Sequence, residues 1–320
     1  MILEDKSIVV SPTVSVVITT YNHQLYISKA IESVLSQQTT FTIELIIGED
    51  CSSDKTREIC LDYWHKYPQI IRLSLPDENV GFIRNYGSLL SLCRGKYIAI
   101  LSGDDYWCDD TKLQKQFDYL EQNDGYGFVR TLGYELHGDK LIETSGGHME
   151  NEGDVRKIAI YGPLGFASSA FFERALLQYF DTEELIRRGI TMEDYPMNAI
   201  FSHHTKFALI RERMIVYRIL DVSVSRPESI QKRTNYMIGY YEAKKYVKDL
   251  YPDEVPWTYE DIQDSQNYAR LKLCYCTFDF KSVKSLSFVT PQYQTKSLVK
   301  YCKNRLSFYL LSIILRLRKK

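Results

Sequence analysis

The chain has 320 residues, of which 44% are hydrophobic and 25% charged, so its composition is that of a globular protein with a sizeable core. Seven cysteines occur without a CxxC motif or the Cys/His spacing of a zinc site, which argues against a zinc module and favours reduced thiols in the cytosol. Residues 1–280 hold 30 basic and 41 acidic side chains, whereas residues 281–320 hold ten basic and no acidic ones. We expect the basic end to meet an anionic surface, and we expect no nucleic acid partner.

The first hundred residues alternate apolar runs with segments of helical spacing. The apolar runs predict four strands that are buried in a parallel sheet: 14–20, 43–50, 70–75 and 96–102. The resulting β-α-β-α-β-α-β order predicts a doubly wound sheet, in which ligands bind outside the carboxyl ends of the strands. Those ends read TTYN, GED, LPDEN and SGDD. There is no GxGxxG after the first strand and no GxxxxGK[ST], which argues against a dinucleotide fingerprint and a P-loop.

The following residues are less regular. In chain order they contain an amphipathic helix (112–123), a strand-like run (127–136), a Gly/Pro loop with an apolar element (161–177), the pair Glu193–Asp194 before a helix, two strands (207–212 and 214–220), and a long helix begun by Pro227.

Two adjacent aspartates, Asp104 and Asp105, end the fourth strand. Like charges repel, and burying an unpaired carboxylate is costly, so either water or a positive group must stand beside them. Asp109 and Asp110 follow at the start of the next helix, where capping is the expected role.

Five segments between about Val14 and Arg218 resemble the motifs of the family 2 glycosyltransferases of the GT-A fold, in the same order. They are VSVVITTYN, IELIIGEDCSSDKT, ENVGFIRNYG, GKYIAILSGDDYW and MEDYPM. The resemblance implies an α/β GT-A fold, with a Rossmann-like, mostly parallel sheet and flanking helices over residues 1–225. The nucleotide-binding half is expected at 1–110 and the acceptor-side half at 111–225. A C-terminal helical region is expected at 226–320.

The resemblance also implies the reaction. A sugar passes from a nucleotide diphosphate sugar, with UDP expected, to an acceptor hydroxyl, with inversion at the anomeric carbon. The QxxRW motif of processive synthases is absent, which favours transfer of a single sugar. A Mn²⁺ or Mg²⁺ ion is expected beside the diphosphate, because these ions prefer carboxylate and phosphate oxygens.

The metal and catalytic residues follow from matching positions. The resemblance assigns the metal to Asp105, with Asp104 as a possible second ligand or a contact of the ribose. Ser102 stands where the family often has another acid, so this metal site is one acid poorer. Asp194 matches the catalytic base, with Glu193 as the alternate, although this pair could simply cap a helix.

The residues expected to bind the nucleotide sugar come from the first three strand ends and from the aspartate pair. They are Thr20, Tyr21, Asn22, Asp50, Arg84, Asn85 and Asp104. Asp50 matches the residue that accepts the uracil N3–H, but capping of the next helix is an alternative. Arg218 matches a late motif near the diphosphate, but Leu220 replaces the histidine of that motif, which weakens the match. The segment GPLGFASS (162–169) resembles an acceptor-side loop or is a packing turn.

The tail (about 292–320) contains an apolar stretch, Leu306 to Leu315, that is too short to span a bilayer. With its flanking basic residues it suits an interfacial helix on an anionic membrane, or it packs on the body. The first residues lack the pattern of a signal peptide. We therefore expect a cytoplasmic protein, peripheral on the inner face of the membrane, whose acceptor is a saccharide or a lipid-linked saccharide.

Two other functions fit parts of the sequence. A sugar nucleotidyltransferase would carry a GGxGxR loop after the first strand, where TTYNHQ stands instead. A catalytically inactive module that binds a nucleotide sugar would share every motif, and turnover distinguishes it from the transferase.

Overall fold

A computed structural model describes residues 1–5, 11–144, 158, 165–221, 223 and 229–277. The chain divides into two units. The first comprises Met1–Arg187 and Glu193–Leu220, and the second comprises Arg188–Met192 and the chain from Asp221 onward. The break after Leu220 lies close to the end of the predicted transferase region.

The first unit is built on one large sheet. Its strands in chain order are β1 (Ile2–Leu3), β2 (Val14–Thr20), β3 (Ile43–Glu49), β4 (Ile71–Ser74), β5 (Tyr97–Ser102), β6 (Tyr106–Trp107), β7 (Tyr126–His137), β8 (Lys140–Glu143), β9 (Phe171–Glu173) and β10 (Lys206–Arg218). The order across the sheet is β1-β4-β3-β2-β5-β9-β7-β10-β6, and β8 pairs with β7. Strands β4, β3, β2 and β5 run parallel, whereas β9 pairs antiparallel with both β5 and β7.

Among the described residues of the first unit, six helices flank or connect these strands: α1 (Ile27–Leu35), α2 (Thr56–Lys66), α3 (Phe82–Leu92), α4 (Lys112–Gln122), α5 (Thr182–Arg187) and α6 (Asp194–His204). Two 3₁₀ turns, Ala167–Ser169 and Arg174–Tyr179, stand on either side of β9. The predicted mixed α/β fold with a mostly parallel central sheet and flanking helices is therefore confirmed.

Strand β2 lies in the core, and all seven of its residues are buried. Branched side chains such as Val16 and Ile18 are inaccessible, and so are Ala30, Ile31 and Val34 of α1. Burying one such branched side chain stabilises the fold by about 1.5–3 kcal/mol. This burial fixes β2 in register between β3 and β5, so the three carboxyl ends lie side by side.

One sequence prediction is corrected in the second half of the sheet. The runs 207–212 and 214–220 were expected to form two strands, but β10 is a single strand that pairs with β7 along its length. Register shifts occur between Ile210 and Arg213 and between Arg213 and Ile215, which is where the apolar pattern is interrupted. A bulged strand keeps its neighbour while changing its alternation.

The second unit contains two long helices among its described residues, α7 (Ile230–Leu250) and α8 (Tyr259–Thr277). Helix α7 begins three residues after Pro227, and Ser229 caps it by accepting from the Lys232 N–H at 3.1 Å. The Lys244 ammonium lies 3.7 Å from the centre of the Trp257 ring. None of the helices in the described part of the chain is long and apolar enough to cross a membrane. The predicted membrane-binding tail (about 292–320) lies outside the described residues.

Candidate functional site

The carboxyl ends of β2, β3 and β5 meet at one edge of the sheet, as the parallel order predicts. Thr20 pairs with Glu49, and Thr19 pairs with Ser102. The turns that follow are tied together, since the Asp50 N–H donates to the Thr20 carbonyl at 3.0 Å. We call this region, where the three turns join, the carboxyl edge.

Asp105 is buried at the carboxyl edge, with 1% of its surface exposed. Its Oδ2 accepts from the Ser168 hydroxyl at 2.5 Å, and its Oδ1 accepts from the Arg218 N–H at 3.0 Å. Burial, followed by the charge of Asp104, raises the pKa of the Asp105 carboxyl well above its usual range. Asp105 therefore anchors two distant segments of chain with both of its oxygens.

Asp104 is more accessible than its neighbour, with 16% of its side chain exposed. Its Oδ2 faces the His23 Nε2 at 4.0 Å. Arg218 donates from Nη1 to the Asp104 carbonyl, and its guanidinium lies between the rings of Tyr26 and Tyr106, at 5.1 and 4.7 Å from their centres. Asp104 is thus the carboxylate of this pair that a ligand can reach.

His23 is a site residue that the sequence reasoning missed. Its Nδ1 lies 3.2 Å from the Thr20 hydroxyl. Burial lowers the pKa of His23, while the charges of Asp104 and Asp54 act in the opposite direction. Its position directly after the TTYN turn was the one available signal.

Asp50 holds the loop that precedes α3. Its Oδ1 accepts from the Val80 N–H at 2.8 Å, and its Oδ2 accepts from the Gly81 N–H at 3.0 Å. Burial is the main cause that raises the pKa of Asp50. Gly81 has a φ of 86°, a conformation that glycine adopts without strain. Each carboxylate oxygen can accept a second bond, so recognition of the uracil edge stays a prediction.

The first strand-end turn is tied to the second. The Asn22 N–H donates to the Ser52 hydroxyl at 2.9 Å, and its Oδ1 accepts from the Ser53 N–H at 2.8 Å. Thr20 is 2% exposed, whereas Tyr21 is 44% exposed and presents its ring to solvent. Tyr21 therefore offers an exposed aromatic ring on which a base could stack.

Arg84 and Asn85 take different positions at the start of α3. The Arg84 side chain is 49% exposed and lies 3.8 Å from Glu183. Asn85 is 4% exposed and donates from Nδ2 to the Gly48 carbonyl at 3.0 Å. A Cβ at Gly48 would lie 2.4 Å from the Asn85 Oδ1, so the asparagine packs closely under β3. Ligand contacts by both residues stay predictions, with Arg84 the more accessible.

A second acidic pair stands at the start of α6. Glu193 is 6% exposed, and burial, followed by the charge of Asp194, raises its pKa to about 8. Burial also raises the pKa of Asp194, while Arg130 lowers it. Arg130 is inaccessible and donates to the Asn198 Oδ1 at 2.6 Å, and burial lowers its pKa to about 10. The sequence reasoning missed Arg130, although a basic residue between the apolar residues Val129 and Leu132 was a usable signal.

One short segment links the two acidic pairs, and we call it the bridging turn (Phe166–Ser169). The Phe166 carbonyl accepts from Arg130 Nη1 at 2.6 Å, while Ser168 donates to Asp105. Trp107 donates from Nε1 to the Ser168 carbonyl at 3.0 Å, and Gln116 donates to the Ser169 carbonyl at 2.9 Å. The bridging turn lies within the described part (165–169) of the segment predicted as an acceptor-side loop.

The residues at the carboxyl edge provide few ligands for a metal. Among the residues that the structure describes, no three or more His, Cys, Asp or Glu side chains are grouped to hold an ion. Ser102 contributes no acid, and Asp105 has both oxygens hydrogen-bonded. A divalent cation that is held by one or two carboxylates together with substrate phosphates still fits this arrangement, with Asp104 as the accessible carboxylate.

A protein-family model and several curated proteins match this chain. The family model described as "Glycosyl transferase family 2" matches residues 15–180. Over 126 residues, the chain is 36% identical to TuaG of Bacillus subtilis, a protein named for glycosyl transfer in teichuronic acid biosynthesis. The aligned region covers 39% of this chain and 48% of TuaG. The chain therefore spans about half the length of that relative, and 32% of the length of an uncharacterized Mycobacterium tuberculosis protein that it matches at 41% identity.

Two solved structures share the fold at low sequence identity. The mannosyltransferase PcManGT of Pyrobaculum calidifontis, in complex with GDP-Man and Mn²⁺, superposes with a TM-score of 0.56 at 14% identity over 97% of this chain and 88% of that one. TarS 1–349 of S. aureus, in complex with UDP-GlcNAc, superposes with a TM-score of 0.52 at 12% identity over 82% of this chain and 80% of that one.

Proposed function

Since the chain belongs to glycosyl transferase family 2, we propose that it moves a single sugar from a UDP-sugar to an acceptor hydroxyl, with inversion at the anomeric carbon. The observation that carries the proposal is the bridging turn, which ties Asp105 at the carboxyl edge to Arg130 beside Glu193 and Asp194. Donor binding and proton abstraction need two different acidic groups in a fixed relative position. The bridging turn connects the segments that carry these two groups.

The donor would bind along the turns of the carboxyl edge. Tyr21 offers a ring for the base, Asp50 offers carboxylate lone pairs for the uracil N3–H, and Arg84 offers a cation for the diphosphate. Thr20 and Asn85 are buried, whereas Asn22 is exposed, and the hydrogen bonds of both asparagines hold these turns in place. Asp104 would contact the ribose or the cation.

The residues fit a divalent cation, Mn²⁺ or Mg²⁺, with Asp104 as the first ligand and Asp105 behind it. A bound cation would offset the negative charge that develops on the leaving nucleotide diphosphate. The repulsion between the two carboxylates favours a positive ligand here, since burial and Asp104 already raise the pKa of Asp105.

Asp194 would take the proton of the acceptor hydroxyl. A base must be ionised to accept a proton. Burial raises the pKa of Asp194 and the charge of Arg130 acts in the opposite direction, whereas burial and the charge of Asp194 raise the pKa of Glu193 to about 8. Glu193 would then be largely protonated near pH 7, which leaves it as the alternate base.

The acceptor would be a saccharide or a lipid-linked saccharide of a cell-surface polymer, on the cytoplasmic face of the membrane. The name of TuaG supports the polymer class, and the basic tail (about 292–320) supports an anionic membrane surface. Flotation of the full chain with anionic liposomes, compared with a chain ending at Thr290, tests the tail. Equal flotation of both chains would refute its role.

A turnover assay tests the reaction. The full chain is incubated with labelled UDP-sugars, Mn²⁺ and saccharide acceptors, and UDP release is followed together with the anomeric configuration of the product. Release with inversion supports the proposal. Binding of the UDP-sugar without release, in the presence of acceptor, would favour the inactive binding module instead.

A further inference from the structure

We propose that His23 and Asp104 hold the divalent cation together, so that an imidazole stands in for the acid that Ser102 does not supply. The juxtaposition that carries this is His23 Nε2 facing Asp104 Oδ2 at 4.0 Å, with 22% and 16% of the two side chains exposed. The inference rests on the proposed function, because the remaining ligands of the cation would be oxygens of the donor diphosphate.

The His23 ring is oriented by its other nitrogen. Nδ1 lies 3.2 Å from the hydroxyl of Thr20, a residue that is 2% exposed. When that hydroxyl accepts the Nδ1 proton, Nε2 carries the lone pair that a metal needs. Imidazoles that bind metals in proteins are generally fixed in this way, by a hydrogen bond on the nitrogen away from the metal.

The backbone of His23 is held on both sides. Its N–H donates to the Thr56 hydroxyl at 2.8 Å, and its carbonyl accepts from the Tyr26 N–H at 2.8 Å and the Ile27 N–H at 2.9 Å. Gly103 makes room for the ring, since a Cβ there would lie 2.9 Å from the His23 Nδ1 and 2.6 Å from the Thr20 Oγ1. The imidazole therefore occupies a constrained position beside the aspartates.

The other charged groups near His23 have partners of their own. Asp54 accepts from the N–H groups of Gln24 and Thr56, and Arg218 donates to the Asp104 carbonyl between two tyrosine rings. The separation of 4.0 Å between His23 and Asp104 exceeds a hydrogen bond, so the pair is not closed on itself. A shared cation would use the two facing lone pairs.

An imidazole ligand has a consequence for metal choice. Mg²⁺ favours oxygen ligands, whereas imidazole suits transition metals. The site is therefore expected to prefer Mn²⁺ over Mg²⁺, although its remaining ligands are oxygens. Replacing His23 should reduce Mn²⁺ affinity more than Mg²⁺ affinity.

Pulsed electron paramagnetic resonance of bound Mn²⁺ tests the ligand directly. The full chain is prepared with UDP and Mn²⁺, once with natural isotopes and once with ¹⁵N-labelled histidine. We expect a strong ¹⁴N modulation that changes to the ¹⁵N pattern on labelling, which needs no variant. His23→Gln should lose the modulation and bind Mn²⁺ about tenfold more weakly in the presence of UDP, and its circular dichroism should be unchanged.

His65→Gln is the matched control, because His65 is exposed at the end of α2 and lies outside the carboxyl edge. It should keep both the modulation and the affinity. A wild-type Mn²⁺–UDP complex without nitrogen modulation, or a His23→Gln variant that retains it, overturns the inference and leaves the proposed function intact. Failure of the wild type to bind Mn²⁺ with UDP overturns the inference together with the proposed metal-dependent function.

Discussion

Two buried acids at opposite ends of the parallel strands have different surroundings: Glu44 lies at the amino ends, which we call the amino edge, and Asp105 lies at the carboxyl edge. At the amino ends of β2, β3 and β4, the inaccessible Glu44 accepts from the Ser15 hydroxyl at 2.6 Å and from Arg72 Nη1 at 3.0 Å. The Arg94 N–H donates to the same carboxylate at 2.8 Å. At the carboxyl edge, Asp105 lies beside a second aspartate, and its pKa is raised well above the usual range.

This difference distinguishes a carboxylate that stabilises the fold from a pair of carboxylates that can bind a ligand. A buried carboxylate that is balanced by a guanidinium needs nothing further, so the amino edge is complete within the protein. Asp105 instead has a raised pKa beside the carboxylate of Asp104, so its ionised form is unfavourable and a bound cation would stabilise it. The charge of Arg218 offsets this repulsion only in part, since the pKa of Asp105 stays raised, so the carboxyl edge is a place where a bound cation would be stabilised.

Breaking the amino edge should have the largest effect on stability. Arg72→Met leaves Glu44 buried without its cation, and we expect a loss of about 3–5 kcal/mol in the free energy of unfolding. Asp104→Asn at the carboxyl edge serves as the matched change, with an expected effect of less than about 0.5 kcal/mol. Urea denaturation measures both. Equal losses in the two variants would refute the contrast between the edges.

Removing the base should have the largest effect on turnover. Asp194→Asn keeps the size of the side chain but cannot take the acceptor proton, so we expect the rate to fall about 10²–10⁴-fold. The UDP-sugar affinity should be retained, because the base acts on the acceptor side. Glu193→Gln, measured in the same assay, separates the two candidates. A larger loss in Glu193→Gln than in Asp194→Asn would reverse the assignment.

Much of this arrangement is predictable from sequence, and some of it is not. The apolar runs place Thr20, Asp50 and Asp104 at one edge, because parallel strands end together. The roles of His23 and Arg130 depend instead on packing between distant segments. Arg130 reaches Asn198, 68 positions away in the chain, and no local pattern encodes that contact.

The antiparallel insertion of β9 was equally hidden from the sequence. Phe171 and Phe172 read only as part of an apolar element, yet β9 pairs with β5 on one side and β7 on the other. It brings the bridging turn next to the aspartate pair, since that turn directly precedes it. Pairing partners of a three-residue strand are set by tertiary packing, which outweighs local propensity.

The pH dependence of stability should reveal the raised pKa of Glu193, the residue directly before α6. The folded-state pKa of Glu193 is about 8, against a usual value of 4.5, so the folded protein holds a proton that the unfolded chain releases between these values. The free energy of unfolding should therefore fall as pH rises from about 4.5 to 8, by at most about 1.4 kcal/mol per pH unit from this group. Glu193→Gln should flatten that slope in denaturation curves taken across the interval. An unchanged slope in the variant would contradict the raised pKa.

The smallest expected effect comes from adding an acid at position 102. The added negative charge should increase the repulsion between carboxylates at the carboxyl edge. Ser102→Asp places a third carboxylate beside Asp104, and more ligand charge strengthens cation binding, so we expect about tenfold tighter Mg²⁺ binding in the presence of UDP. Without metal, the same variant should be less stable, because the added charge repels the existing pair. Ser102→Asn is the control, with similar size and no charge, and isothermal titration calorimetry compares the three proteins. If the Asp and Asn variants bind Mg²⁺ equally, charge at position 102 does not limit the site, and the cation must depend on other ligands.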